Sequence, residues 1–419
     1  MHWGNATVDW ETLASVCERL KSYHQLRSAL GIGTSDISFL YRRFMVPAEN
    51  THHANRFNFV YELQRARHLH FSDDRDRVFA FLGHFSVHSL HLLGCGPVSI
   101  TADYATTVEQ SYIDVAVRIL QQNSTSAYIV LAAVQHPCSS LPSSRSQSNI
   151  SLEAWLKDEH KLPSWVPDWR LSNGIILAEP ICPHRAHGDS TAKIEILEKD
   201  NLVLRVHGME IDTIEACSRL LVSEDFYGKK KPGQPILMIE QLWHDLCQKE
   251  RFNLDDTYLN GHTAFFAFMQ TLSNGCVQAA GHESMRYYEV PDRVWLQKAA
   301  RYIVAIFGAS DNVSEEVRRV AEVNKSEGDD KDWSRWATSA SEGRVFATTG
   351  RGRYVLGPAA LESGDVVCVL FGSKEPFCLR PMGKRYLFVG ECYVHGLMKG
   401  EAIDMLAQNQ LYEKKFDIV

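Results

Sequence analysis

With 419 residues, 45% of them apolar and 23% charged, the chain is long enough for two or three domains that each bury a core. Its 44 Lys and Arg stand against 51 Asp and Glu, a net charge of −7, which excludes the broad basic face that displaces counterions from nucleic acid. No apolar run approaches the roughly 20 residues of a bilayer span, and Met1 to Asn5 has no basic segment leading into an apolar one, so neither a membrane span nor a secretion signal is expected.

Ten cysteines are scattered singly and form no C-x-x-C pair, so they read as reduced thiols of a cytoplasmic protein. Residues 1–138 read as a helical region. One helix is expected after Ser72-Asp73-Asp74, whose short polar side chains suit a helix start, with Val78, Phe81 and Leu82 as its buried face and Gly83 as its stop. Another starts at Thr107. Thr107 and Gln110 fit a capping box, and Val108, Tyr112, Val115 and Ile119 share one face.

Residues 139–160 read as a Ser-rich flexible loop, since seven serines in positions 139–151 cannot bury a core. Residues 161–325 form a mixed α/β middle. It holds a strand near Asn201–Val206, amphipathic runs near Ile236–Cys247 and Val294–Phe307, and a solvated turn at Lys229-Lys230-Lys231. Residues 326–342 read as a polar linker. From 343 to 419 short β runs are broken by glycine: a hairpin at Val345–Thr348 and Tyr354–Leu356, a strand buried on both faces at Asp365–Phe371, then Phe377–Arg380 and Tyr386–Val394. The expected class is α+β, with a helical N-terminal region, a mixed middle and a small β-rich C-terminal sheet or barrel.

Few patterns point to chemistry. Cys182, His184, His187 and Asp189 are all potential zinc ligands within eight residues, but their spacing matches no closed structural site. His84, His88 and His91 have helical spacing, for which a packed or solvated histidine face is the plainer reading. Gly350-x-Gly352 lies in the hairpin and lacks a third glycine, so it is no dinucleotide fingerprint. No phosphate loop and no nucleophile elbow occur. No cofactor is expected, and no metal is assigned.

Three motifs are more informative. The first runs Ser72-Asp73-Asp74-Arg75-Asp76-Arg77-Val78-Phe79-Ala80-Phe81-Leu82-Gly83 and is followed by Asp103-Tyr104. The second is Leu162-Pro163-Ser164-Trp165-Val166-Pro167-Asp168-Trp169. The third links Gly343-Arg344-Val345-Phe346, Gly357-Pro358, Gly364-Asp365-Val366-Val367 and Leu379-Arg380 to Val389-Gly390-Glu391-Cys392-Tyr393-Val394-His395-Gly396, ending at Gly400-Glu401. Read from their chemistry, the alternating Asp and Arg build an ion-pair network at a helix start, against a functional reading as a phosphate or partner site. Trp165 and Trp169 fill a packed corner held by two prolines, against a ligand-stacking site. Glu391, Tyr393 and His395 alternate along a strand, with Glu401 returning after the Gly396 and Gly400 turn to pair with His395 and raise its pKa. The functional reading is an acid–base cluster.

In this order the motifs resemble the back portion of fungal heterokaryon-incompatibility (HET) family proteins. The resemblance covers residues 72–402. Family members begin with the HET domain proper, marked by "D-A-[LI]-C-I-N-Q" and "R-x-W-[VI]-x-Q-E", and neither segment occurs in this sequence. That domain is distantly similar to the TIR fold, some members of which cleave NAD. The resemblance therefore implies a relative of self/non-self recognition and cell-death proteins without that effector and without NAD hydrolysis. The leading expectation is a non-enzymatic interaction or regulatory module with a protein partner. An enzyme or accessory protein co-opted into a fungal secondary-metabolite pathway, and a truncated or decayed gene product, stay open. So does the oligomeric state.

Overall fold

A computed structural model describes residues 2–3, 6–31, 34, 41–46, 52–88, 99–143, 162–171, 176–197, 203–227, 236–275, 291–308, 310–323 and 332–419. The expected Ser-rich loop lies outside the described residues from 144 onward, as does the Lys229–Lys231 turn.

A short antiparallel ribbon, β1 (His2–Trp3) and β2 (Ala6–Thr7), precedes α1 (Trp10–Leu20). Asp9 caps α1 by accepting from the Thr12 N–H at 2.9 Å. Then come α2 (His24–Leu30), α3 (Phe59–Arg65), α4 (Asp76–Phe79), α5 (Val108–Leu120) and α6 (Ile129–Ala132). Thr107 caps α5 from its side chain, accepting from the Gln110 N–H at 3.1 Å, while the Gln110 side chain turns to Asp114 instead of closing a capping box. The helix expected after Asp74 is a single turn. Its N-cap is Arg75, with no side-chain cap; Asp73 accepts from the Arg75 N–H at 2.9 Å, and Asp73 and Asp74 are each held by an arginine side chain.

The β structure is built around one long strand. After β3 (Ile194–Ile196), β4 runs from Leu204 to Cys217. Later come β5 (Val345–Thr349), β6 (Tyr354–Gly357), β7 (Val366–Leu370), β8 (Phe377–Met382), β9 (Arg385–Glu391), β10 (Tyr393–Val394) and β11 (Glu413–Ile418). The first half of β4 pairs with β11, and β11 pairs in parallel with β9. β9 pairs with β8 and β8 with β7. β7 then returns to β4, which closes a five-stranded barrel. The second half of β4 leaves the barrel after register shifts beyond Glu210 and Ile214, and pairs with β5 to begin a side sheet of β5, β6 and β10. Such bulges bend and twist a strand, which lets one strand serve two curved surfaces. The expected β-rich C-terminal unit is completed by β4, a strand from the middle of the chain that overlaps the one expected near Asn201–Val206.

Between these parts lie α7 (Met238–Gln241, continuing as a π turn over Leu242–Leu246), α8 (Ala264–Leu272), α9 (Asp292–Phe307), α10 (Glu315–Glu322) and α11 (Asp332–Ser341). The expected linker at 326–342 is therefore a helix from Asp332 onward. Trp333 and Ala337, four apart, are fully buried on one face, which outweighs the polar composition. A last helix, α12 (Glu401–Ala407), precedes β11.

The strands bury both faces. Along β7, Cys368 and Leu370 pack with the N-terminal helices and with Trp165 and Trp169. Val367 and Val369 join Met209, Leu387 and Val389 in a second cluster. Residues Phe346, Tyr354, Leu356 and Tyr393 of the side sheet pack with α7 to α11 in a third. Among the described residues no helix is long and apolar enough to cross a membrane.

Candidate functional site

The charged residues of the three motifs are largely paired with one another. Arg75 holds Asp73 by three side-chain hydrogen bonds, Nε to Oδ1 at 3.0 Å, Nε to Oδ2 at 3.2 Å and Nη2 to Oδ2 at 2.7 Å, and reaches the carbonyls of Tyr104 and Thr106. Arg77 bonds Asp74 at 2.8 Å and the carbonyls of Arg67 and Leu69. The Tyr104 hydroxyl donates to Asp76 at 2.6 Å, and Asp103 accepts from the Ala105 N–H at 2.8 Å. The first motif therefore ties α4 to the turn before α5. In the second motif, Ser164 donates to the Val419 carbonyl and accepts from the Phe388 N–H at 2.8 Å, anchoring the chain end beside β9. Trp165, Pro167 and Trp169 are buried. The Arg67 guanidinium lies 4.7 Å from the Trp169 ring centroid, and burial lowers its pKa to about 9 against the opposing pull of Asp168. Asp168 is held by Arg170, which also bonds Glu109 at 2.8 Å.

In the third motif, residues far apart in sequence meet. Arg380 embraces Asp365, Nε to Oδ1 at 2.8 Å and Nη2 to Oδ2 at 3.0 Å, with both side chains buried. Gly364 before it sits at φ 99°. Arg344 donates to Glu391 at 2.6 Å, and Glu391 also accepts from the backbone N–H groups of Leu177 and Ala178 at 2.6 and 3.0 Å. Burial still holds the Glu391 carboxyl above the usual range, outweighing Arg344 and those N–H groups. Gly390, at φ 148°, lies against Pro358, where a Cβ would stand 2.8 Å from the Pro358 Cβ. Arg344 and Glu391 border a cavity of about 520 Å³ lined also by the 134–138 segment, Leu220, Ser339, Pro358 and Ala359.

His395 departs from expectation. Its Nδ1 lies 3.3 Å from the Tyr393 hydroxyl, and its Nε2 lies 3.0 Å from His262 Nδ1 and 3.3 Å from Asn260 Nδ2. Glu401 instead accepts from the Lys399 N–H at 2.7 Å, at the start of α12. The His395 pKa is lowered to about 3, by burial first and then by His262 and Lys399, where a Glu401 pair was expected to raise it. The turn geometry follows the glycines: Gly396 and Gly400 have φ of 80° and 101°, and a Cβ on Gly400 would stand 2.9 Å from the Gly188 Cα. Glu391, His395 and Glu401 do not converge.

The ligand-type residues at 182–189 separate into two groups. Cys182 and His184 come together with Glu375, from the β7–β8 connection, all three buried with one potential ligand atom each within 4.8 Å of the others. Cys182 Sγ donates to Glu375 Oε1 at 3.1 Å. His184 Nε2 lies 3.1 Å from the Asn274 carbonyl. Burial, then Cys182, pushes the Glu375 carboxyl well above the usual range. His187 turns away to the Ser190 carbonyl, and Asp189 is exposed beside Arg185. Glu375 also lines a second cavity of about 300 Å³, between the Ser124–Ile129 segment and Pro180. His84 is buried, bonded to Ser86 and the Arg43 carbonyl, while His88 is exposed at the end of a 3₁₀ turn and His91 lies outside the described residues. Sequence reasoning missed Glu375, His262 and Asn260. Each is a lone polar residue whose role depends on a neighbour more than 100 positions away.

Residues 309–413 match the family described as the Het-6 beta-barrel domain. Over 75 residues the chain is 37% identical to "Heterokaryon incompatibility protein 6, OR allele" of Neurospora crassa, a stretch covering 17% of this chain and 11% of that protein. No solved structure matches the chain. The barrel-family match holds β5 to β10, whereas β4, which closes the barrel, and nearly all of β11 lie outside it.

Proposed function

We propose that this chain, a member of the heterokaryon-incompatibility family through its Het-6 barrel, is a non-enzymatic recognition or regulatory module that acts through a protein partner in fungal self/non-self discrimination. The observation that carries this reading is the barrel match together with what the motif residues do. Asp365, Arg380, Arg344 and Glu391 are buried and bonded into the scaffold, and Trp165 and Trp169 are buried in its core. The family signature thus supports a rigid platform and leaves specificity to the surface. Apolar surface is present for such a partner. α2 buries none of its residues, and Leu26 and Leu30 are exposed, as are Val16 on α1 and Phe44 to Val46. A cytoplasmic location and a part in incompatibility-triggered cell death belong to the same proposal.

The test is genetic. Strains differing at this gene are paired, and heterokaryon growth is scored with the gene present, deleted, or replaced by a Leu26→Glu/Leu30→Glu variant. Deletion is expected to restore growth in at least one incompatible pairing, and the surface variant to behave like the deletion while still accumulating. Incompatibility unchanged by deletion in every pairing rules the reading out.

A further inference from the structure

We propose that Cys182, His184 and Glu375 form a binding site for one divalent cation of the zinc class. A thiolate, an imidazole and a carboxylate are the donor types zinc takes, and three protein ligands leave a fourth position for water or an incoming donor. With zinc–ligand lengths of roughly 2.0–2.3 Å, ligand atoms of a tetrahedral site lie about 3.6 Å apart. The trio, within 4.8 Å in all pairs and at 3.1 Å between Cys182 Sγ and Glu375 Oε1, needs changes of at most about 1.2 Å per edge to reach that spacing. Small side-chain rotations supply such changes.

The independent sign of a missing ligand is Glu375 itself. It is 1% exposed, yet its Oε2 has no hydrogen-bond partner, and among the described residues no Lys or Arg pairs with it. The ammonium of the adjacent Lys374 is aimed instead at the carbonyls of Pro180 and Cys182. A buried carboxylate without a counter-charge is costly, and a bound cation removes that cost. The surroundings are also arranged as a metal site requires. The Asn274 carbonyl can only accept, so His184 Nε2 donates to it and Nδ1 is the ring nitrogen left to ligate, as in histidine ligands fixed by an outer partner. Lys374 and Asn55, which accepts from the Ile181 N–H at 2.9 Å, hold the loop that carries Cys182. Glu375 also borders the 300 Å³ cavity between the Ser124–Ile129 segment and Pro180. On binding, the Cys182 thiol and the Glu375 carboxyl release the protons they carry to solvent and the metal joins the 182–184 loop to the β7–β8 connection, with no change of oxidation state.

The probe is Co²⁺ added to the chelator-treated full chain, with metal content measured after desalting. The expected result is about one Co²⁺ per chain with a thiolate-to-cobalt charge-transfer band, competed away by Zn²⁺. Cys182→Ala should abolish the band. Glu375→Gln should weaken binding by more than the roughly 10–100-fold cost of losing an outer partner. Cys138→Ala, at an exposed thiol away from the trio, should leave both unchanged. If the site variants misfold by circular dichroism, the wild-type measurement decides alone. No band with the wild-type chain, or a band that survives in folded Cys182→Ala, overturns the proposal. Neither result bears on the incompatibility reading.

Discussion

Replacing Arg380 by Met should cost far more than a surface charge does, and replacing its partner as well should return most of the loss. Arg380 is 2% exposed and Asp365 is fully buried. In Arg380→Met, the Asp365 carboxylate keeps a single described donor, the Glu362 N–H at 2.9 Å, and the carbonyls of Pro142 and Ala360 lose theirs. Leaving one member of a buried pair uncompensated costs about 3–5 kcal/mol. Asp365→Leu strands the guanidinium, but those two carbonyls and half-buried Glu362 remain as acceptors, so about 3 kcal/mol is expected. The double variant removes both charges and should lose only about 1–2 kcal/mol from the two orphaned carbonyls. The coupling is then at least about 4 kcal/mol. Urea unfolding followed by tryptophan fluorescence measures all four proteins. The pH arm has a definite sign. Burial already raises the Asp365 carboxyl even against Arg380. A raised folded pKa means stability held at low pH and lost as pH rises through it, so the Arg380→Met deficit should grow as pH rises above about 4. A double variant whose loss equals the sum of the single losses, within about 0.5 kcal/mol, would refute this account of the pair.

Other consequences follow from the same contacts. Trp169→Ala, which empties a fully buried site beneath Arg67, should lower unfolding free energy by about 3–5 kcal/mol; an unchanged melting temperature would favour a ligand-stacking role instead. Gly390→Ala should cost about 1–3 kcal/mol, because the new methyl meets Pro358 and the positive φ disfavours a side chain; equal stability by urea titration counts against the close approach. Buried His84 and His395, with pKa values lowered to about 4 and about 3, stay neutral in the fold while the unfolded chain takes up protons below about pH 6.5. Stability should therefore fall as pH drops from about 6.5 toward 4, by up to roughly 1.4 kcal/mol per pH unit for each histidine. A His395→Asn variant with an undiminished slope would exclude His395 as a contributor.

Local signals carried much of this protein's architecture. Thr107 before a 3.6-residue apolar period specifies α5, and glycine-broken β runs specify β5 to β10, because caps, periodicity and turn residues act within a few positions of one another. The continuous apolar run at Val366–Leu370 already implies a strand buried on both faces, as found. Three decisions belonged to the tertiary structure. The barrel closes on β4, more than 100 residues before its neighbours β7 and β11, and strand pairing carries no sequence mark of its partner. The polar 332–341 segment is a helix because Trp333 finds a pocket against Phe226 and Tyr302, which outweighs composition. His395 meets His262 instead of Glu401, and Cys182 and His184 meet Glu375, because β and loop connections set which buried polar groups share a space. Propensity and capping are short-ranged and legible along the chain, whereas the pairing of buried charges and ligands is a property of the closed barrel and of the helices packed on it.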